Sequence, residues 1–326
     1  MKYYLTIAIV CLLAAPAIAQ PTVDGTLDAS YGSAISVQTV QTQFGDASDP
    51  AGLGGGGELN AAYATIDAGR LFVLLTGNIE PNFNKVSLFI DSQPGGENVL
   101  DGNLAYDFGD VSQNLGGLTF DSGFTADYHL FGRWGGGAFE LDVIDRAGST
   151  PGNEVGNAGV ATSGSGTGIQ SGSVFAGGTP ALGAEGGGFL SSNVNFGFNN
   201  TNTAGVAGGT GPADLTAAAA VTTGLEFSIA LSDIGNPAIG DVINIHAAYG
   251  NGDNNFHSNQ ILGGLPAPQG NLGGDGAGTF TGDLSGIDFN NFDGDQFFSI
   301  TVPVPEPSTL SLIGLASLFV AGRRRR

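Results

Sequence analysis

Strict alternation of apolar and polar residues is the feature that most limits the fold of this chain. Every second residue from 225 to 231 is large and apolar, and the residues between them are small or polar. Successive side chains of a β-strand point to opposite faces, so this period of two predicts a strand with one buried face. Residues 86–91, 139–144 and 242–249 repeat the pattern.

The remaining strand candidates are less regular. The apolar run at residues 71–75 predicts a central strand buried on both faces. Further strands are predicted at residues 36–44, 59–66, 124–131, 189–198 and 297–302, and a short helix within 214–221. The 57 glycines follow no fixed period and indicate many turns. The predicted class is all-β, an antiparallel β-sandwich with long Gly-rich loops.

The sequence predicts three segments: a signal peptide (1–19), a β-sandwich domain (20–302) and a C-terminal signal (303–326). Within the domain, residues 147–223 are mostly small and polar and are predicted to be a loop-rich insertion. Residues 251–286 are also expected to be mostly loop.

The charge of the chain between the two predicted signals, which we call the body, limits the partners that it can bind. Residues 20–306 hold all 30 acidic residues but only four of the nine basic ones, a formal charge of −26. Such a body repels nucleic acid and anionic membranes, so no nucleic-acid partner is expected. Cys11, in the predicted signal peptide, is the single cysteine. We therefore expect no disulfide and no thiolate metal site in the mature protein.

The N-terminus has the three parts of a secretory signal. Lys2 precedes an apolar stretch at residues 3–15, and Ala17 and Ala19 form a small-x-small cleavage site before Gln20. This pattern predicts an N-terminal signal helix removed by signal peptidase.

The C-terminus also has three parts. They are the motif Val304, Pro305, Glu306 and Pro307, an uncharged apolar stretch at 308–322, and Arg323, Arg324, Arg325 and Arg326. A helix over the apolar stretch would span roughly 22 Å, less than the ~30 Å hydrocarbon core. The arginines would hold its end in the cytoplasm. The sequence predicts a short C-terminal transmembrane helix that acts as a processed anchor.

In order and position, these three parts resemble the PEP-CTERM sorting signal of exported bacterial proteins. The resemblance implies an exosortase-type sorting enzyme as partner. It also implies transient inner-membrane anchoring, followed by delivery to the cell surface or the extracellular matrix. The motif is sometimes labelled an ice-binding protein C-terminal domain, and that label is no evidence of ice binding.

A second resemblance concerns the body. Residues 23–28, 71–75, 86–91 and 226–235 resemble, in this order, parts of family 9 carbohydrate-binding modules and of the related DOMON domains. The resemblance implies a β-sandwich and suggests glycan as a ligand. Trp134 is the single tryptophan, so a clamp of two tryptophans does not carry over. Haem-binding DOMON domains use Met and His as axial ligands of the haem iron. Met1 is the single methionine and lies in the predicted signal peptide, so a haem-binding role is disfavoured.

The histidines show no metal-pair spacing. His129 and His246 are expected opposite the core-facing residues of their strands, with His129 facing solvent, and His257 is expected in a loop. Five aromatic residues either line a sugar-binding surface or pack in the core: Tyr106, Phe108, Phe120, Phe124 and Trp134. No Gly-x-Ser-x-Gly elbow stands between a strand and a helix, and no catalytic residue is assigned.

One run is dense in oxygen ligands. Asp288, Asn290, Asp293 and Asp295 are candidate ligands for Ca²⁺, because hard cations prefer carboxylate and amide oxygens. The order of an EF-hand is not met, and a polar turn is the alternative. No other cofactor is implied.

The leading hypothesis is an exported, non-enzymatic protein of the cell envelope or exopolysaccharide matrix, with exopolysaccharide or another glycan as candidate ligand. A secreted carbohydrate-active hydrolase and a calcium-dependent adhesin are the alternatives. The hydrolase requires two carboxylates facing each other across a cleft.

Overall fold

The computed structural model describes residues 19–45, 56–102, 113–147, 154–155, 168–174 and 189–304. These residues are mostly β, in two antiparallel sheets with almost no helix, which confirms the predicted all-β class. The strands are β1 Ser36–Val37, β2 Glu58–Asp67, β3 Arg70–Asn78, β4 Asn82–Asp91, β5 Tyr128–Gly135, β6 Ala138–Asp145, β7 Glu154–Val155, β8 Ile169–Val174, β9 Val194–Asn199, β10 Gly224–Ala230, β11 Val242–Gly250, β12 His257–Leu262 and β13 Phe298–Thr301.

The predicted short helix is also present. Helix α1 (Leu215–Ala219) begins after Asp214, whose side chain accepts hydrogen bonds from the N–H groups of Thr216 and Ala217. This N-cap satisfies two donors that the first turn of a helix leaves unpaired.

The first sheet has the strand order β1-β2-β3-β10-β9-β8. Strand β3 lies near its centre, between β2 and β10, and all of its residues from Leu71 to Asn78 are buried. The prediction of a central strand at residues 71–75 is therefore confirmed. Strand β10 confirms the prediction made from the alternation at 225–231.

The second sheet has the order β12-β11-β4-β5-β6-β7, and β13 pairs with the start of β11. Leu88 of β4 lies opposite both Leu130 of β5 and Ala247 of β11. All three side chains lie in the main apolar core, so these three strands present one continuous apolar row.

The two sheets share that core. Val73 and Phe227 from the first sheet and Leu88, Leu130 and Ile245 from the second belong to one cluster, and each is at most 1 % exposed. Burying a side chain of this kind stabilises a fold by roughly 1.5–3 kcal/mol. The alternation seen in the sequence thus holds the sheets face to face.

A second core covers the other face of the second sheet. Phe89 of β4 and Ala248 of β11 point away from the main core and pack with Phe120, Leu284 and Phe289. The last three come from the long connections before β5 and after β12. The second sheet is therefore buried on both faces along these strands.

This second core corrects the expectation for the histidines. His129 is 0 % exposed, His246 is 2 % and His257 is 5 %, so the prediction that His129 faces solvent is wrong. The face opposite the main core was expected to meet water, but the connecting segments pack on it. His257 begins β12 and does not lie in a loop.

Some strands occur where loops were expected. Within residues 147–223, β7 pairs with β6, and β8 pairs with β9 at the edge of the first sheet. Strand β9 itself pairs with β10 and confirms the strand predicted at residues 189–198. Strand β12 occupies part of residues 251–286. The predicted strand at 36–44 is shorter, with β1 followed by isolated bridges at Val40 and Thr42.

Within these described ranges, no helix is both long and apolar enough to cross a membrane. The predicted signal peptide and the predicted C-terminal signal fall on residues outside the described ranges, apart from Ala19, Pro303 and Val304.

Candidate functional site: a groove on the first sheet

An open groove of about 610 Å³ lies on the face of the first sheet that points away from the main core. Its floor is formed by β3, β10, β9 and β8, and the segment before β1 lies along it. The lining residues are Gln20, Pro21, Val23, Arg70, Phe72, Ser171, Gly172, Ser173, Asn195, Phe196 and Ser228.

The floor is a row of four residues across four strands. Phe72 pairs with Ser228, Ser228 with Asn195, and Asn195 with Ser173. Neighbouring strands are ~4.8 Å apart, so the row is about 14 Å long. The Ser173 hydroxyl donates to the Asn195 side-chain oxygen at 2.8 Å. Phe72 and Ser228 are buried, at 2 % and 1 % exposed, so the accessible polar part of the row is Asn195 and Ser173, with exposed Ser171 beside them. Hydroxyl and amide groups of this kind are suited to hydrogen bonding with hydroxyl groups.

Arg70 is the cationic group of the groove and is held in one orientation. Its Nε donates to the Ser228 hydroxyl at 3.3 Å, Nη1 to the Ser192 hydroxyl at 3.0 Å and Nη2 to the Asn193 carbonyl at 2.6 Å. Partial burial lowers the pKa of Arg70, and the nearby carboxylate of Asp233 opposes that shift. Arginine stays protonated in proteins, so the groove keeps one positive charge.

The N-terminal segment lies on the first sheet because a buried glutamate binds it. The N–H groups of Asp24 and Gly25 each donate to Glu226 Oε2 at 2.9 Å, and the Tyr31 hydroxyl donates to Glu226 Oε1 at 2.7 Å. Gly197 permits the close approach, since a Cβ there would lie 2.5 Å from the Asp24 backbone. Two parts of the sequence resemblance, residues 23–28 and 226–235, thus meet at Glu226.

Burial dominates the electrostatics of this contact. Loss of water raises the pKa of Glu226, and the three hydrogen bonds it accepts oppose the shift. Burial also raises the pKa of Tyr31, as does its contact with Glu226. Tyr31 therefore remains a hydrogen-bond donor at neutral pH.

The comparison with protein families bears on the other end of the chain. Residues 303–326 match the family model described as the PEP-CTERM protein-sorting motif. Residues 303–326 are a PEP-CTERM sorting signal. The chain is therefore an exported, membrane-transiting protein directed to the cell surface, and its sorting partner is an exosortase-type enzyme. The comparisons with curated proteins and with solved structures found no match.

The structure describes part of the sorting signal and part of the predicted signal peptide. In the PEP-CTERM motif, Val304 is 74 % exposed, whereas Pro305, Glu306, Pro307 and the four terminal arginines lie outside the described residues. At the N-terminus, Ala17 lies outside them, and Ala19 and Gln20 are exposed. The predicted cleavage before Gln20 would place the new N-terminus beside the groove, which Gln20 helps to line.

The predicted calcium ligands form a polar turn among the described residues. Asp288 Oδ1 accepts from the N–H of Asn290 at 3.0 Å, and Asn290 Oδ1 accepts from the N–H of Ser122 at 2.9 Å. Asp293 and Asp295 are exposed. Within the described ranges, no group of three His, Cys, Asp or Glu side chains is placed to hold a metal ion. Calcium binding here stays a prediction.

The aromatic candidates are core residues as far as the structure describes them. Phe120, Phe124 and Trp134 are each at most 2 % exposed, and Tyr106 and Phe108 lie outside the described ranges. The groove's aromatic residues Phe72 and Phe196 are buried as well, at 2 % and 1 %. Any ligand here would be held mainly by hydrogen bonds.

The sequence analysis missed the groove residues. Ser228 occupies an outward position of the clearest alternating strand, and that signal could have identified it. Ser171 and Ser173 lie in β8, which has no apolar alternation, and their alignment with Asn195 depends on strand pairing. Arg70 precedes the buried apolar residues 71–75, and no sequence pattern around it indicates a binding role.

Proposed function

We propose that this is a non-enzymatic protein of the cell envelope or exopolysaccharide matrix, and that its β-sandwich body binds a glycan in the groove of the first sheet. The accessible polar groups of Asn195, Ser171 and Ser173, with Arg70 in the same groove, are the observation that supports the binding site. The PEP-CTERM signal supports the location.

The chemistry of the row favours a polysaccharide. Its hydroxyl and amide groups both donate and accept, as the hydroxyls of a sugar do. The groove is open, which suits a ligand that continues beyond it at both ends. Arg70 provides a charge-assisted donor in a body that otherwise repels anions.

The hydrolase alternative gains no support from this groove. Glycoside hydrolysis needs two carboxylates on either side of the bond that breaks. Among the described residues that line the groove, none is acidic. The adhesin alternative rests on the turn at Asp288, where oxygens of Asp288 and Asn290 already accept hydrogen bonds from the protein.

The test is to fill the groove. We expect Ser171→Tyr and Ser173→Tyr to abolish binding of the exported protein to exopolysaccharide from a PEP-CTERM-containing bacterium, measured by affinity electrophoresis or on a glycan array. Both side chains point outward from β8, so the fold should tolerate the larger residue.

Ile169→Tyr is the matched control. Ile169 lies on the same strand and face, is 48 % exposed and does not line the groove. Binding that persists in both serine variants, or that is lost equally in the control, would refute the site. Sugar release from the polysaccharide would instead favour the hydrolase.

A further inference from the structure

The body holds the chain firmly up to Val302. This residue is 6 % exposed; its N–H donates to the Asp241 carbonyl at 2.9 Å, and its carbonyl accepts from the N–H of Gly240 at 3.0 Å. Val304, two residues later, is 74 % exposed. The chain therefore leaves the body beside the turn between β10 and β11.

The connection from this point to the sorting signal's apolar stretch is short. Residues 303–307 include three prolines, and a polyproline-like segment extends ~3.1 Å per residue. The five residues thus reach about 15 Å. When residues 308–322 are in the bilayer, the exit end of the body lies within that distance of the membrane.

Exposed apolar side chains surround the exit. Ile239 is 57 % exposed in the turn before β11, and Val242 is 51 % exposed at the start of β11, opposite Thr301 of β13. With Val304 they form what we call the exit patch. Three apolar side chains gathered at the exit leave their surface in water, which is unfavourable.

We propose that the exit patch is a lipid-contacting surface that rests on the outer side of the membrane while the sorting signal is anchored. The inference rests on that anchoring and is independent of the glycan groove. The short proline-rich connection holds these side chains near the lipid, where Ile239 and Val242 can enter the apolar boundary below the headgroups.

Charge cannot supply the attraction. The four basic residues of the body are half-buried or buried: Arg70, Lys85, Arg133 and Arg146. The acidic body is repelled by anionic lipid over a Debye length of about 8 Å. Contact must therefore be short-range and apolar, and strongest on neutral lipid.

Other occupants fit less well. Three side chains are a small area beside the roughly 800 Å² per partner of a stable protein interface, which disfavours a second copy. A sorting enzyme would meet the anchored chain transiently, whereas lipid is next to the exit throughout anchoring.

The experiment uses single cysteines, since Cys11 is the single native one. In the full chain carrying Cys11→Ser, Ile239→Cys or Val242→Cys is labelled with an environment-sensitive dye. The protein is inserted through its sorting signal into phosphatidylcholine vesicles that contain lipids with a quencher at headgroup depth. We expect quenching severalfold stronger than at the control, and weaker when anionic lipid is added.

Phe83→Cys is the control. Phe83 is 46 % exposed and lies at the start of β4, whereas Asp91 at the other end of that strand pairs with Asn244 near the exit. Phe83 and Asp91 are eight positions apart along the strand, a distance of about 27 Å.

Equal quenching at the three positions would overturn the proposal. So would a dye response that appears only with the sorting enzyme present, which would identify a protein partner. A response that depends on protein concentration and not on quencher lipid would indicate a second copy. Ile239→Asp, with an unchanged melting temperature, should reduce quenching of a dye at position 242.

Discussion

The outer faces of the two sheets meet different surroundings. On the first sheet, Asn195 of β9 and Ser171 and Ser173 of β8 face an open groove, whereas the outward residues of β3 and β10 are buried beneath or beside the N-terminal segment. On the second sheet, Phe89 of β4, His129 of β5 and His246 and Ala248 of β11 point away from the main core and are buried against a second core. Both sheets alternate in the same way, so the connecting segments decide which face is free to bind.

The charged residues follow this division. Arg70 lies at the open groove, but Lys85, Arg133 and Arg146 lie on the covered side, each at most 3 % exposed. Arg133 binds Glu140 at 2.7 Å and also pairs with Asp142. Buried charges need such partners, because leaving water is unfavourable for an unpaired ion.

The largest expected effect tests whether the second core is part of the fold. Phe120 is 1 % exposed and contacts Phe89, Phe124 and His246, with ring centroids 4.9 to 5.1 Å away. Phe120→Ala should lower the free energy of unfolding by about 3–5 kcal/mol, measured in urea. Ile169→Ala on the open face should change it by less than about 0.5 kcal/mol. Equal losses of stability in the two variants would show that the outer faces of the two sheets do not differ in this way.

The next largest effect is the pH dependence of stability that the buried histidines of the second core produce. Burial lowers the pKa of His246 to about 3 and that of His257 to about 4, and that of fully buried His129 well below its usual value. Below pH 6.5 the unfolded chain takes up these protons and the folded chain does not. Each histidine therefore removes stability as the pH falls from 6.5 towards its folded pKa. Burial raises the pKa of Asp127 to about 6, which acts in the opposite direction.

His246→Asn removes the contribution of one histidine to this pH dependence of stability. The Asn amide can still donate to the Gln296 carbonyl, which lies 2.7 Å from His246 Nδ1. Between pH 6.5 and 4, the wild type should lose on the order of 3 kcal/mol relative to this variant. Urea unfolding at several pH values measures the difference, and parallel curves would show that His246 is not buried in its neutral form.

The smallest effect concerns the N-terminal segment on the first sheet. Glu226→Ala removes three hydrogen bonds to a carboxylate, and we expect a loss of about 2 kcal/mol. Hydrogen exchange should speed up at Asp24 and Gly25 and stay slow in β3. Faster exchange throughout the first sheet would mean that the N-terminal segment is integral to that sheet and does not merely lie on it.

Sequence pattern predicted the apolar strands but not the polar ones. Residues 225–231 and 71–75 lie in β10 and β3, because their apolar side chains define the main core. Strand β12 was missed because Ser258, Asn259 and Gln260 are polar yet buried. They are held by hydrogen bonds such as that from the Asn259 side chain to the Gln41 carbonyl at 2.7 Å. Such partners lie more than 200 residues away, where no local pattern can show them.

The functional sites also differ in whether local sequence could predict them. The C-terminal sorting signal is local and could be predicted from consecutive residues. The groove depends on pairing between β8, β9, β10 and β3, so its row of residues exists only in the folded chain. His129 was placed wrongly for a related reason, since the residues that cover it come from distant connections.

The burial of the basic residues affects how long the body survives outside the cell. Trypsin-like proteases cut after lysine or arginine, and between residues 20 and 304 the chain offers them four positions. Three lie within β3, β4 and β5, and Arg146 directly follows β6. A protease needs an extended, accessible segment, so cleavage has to wait for these strands to open. Resistance to such enzymes follows from where the fold places four side chains.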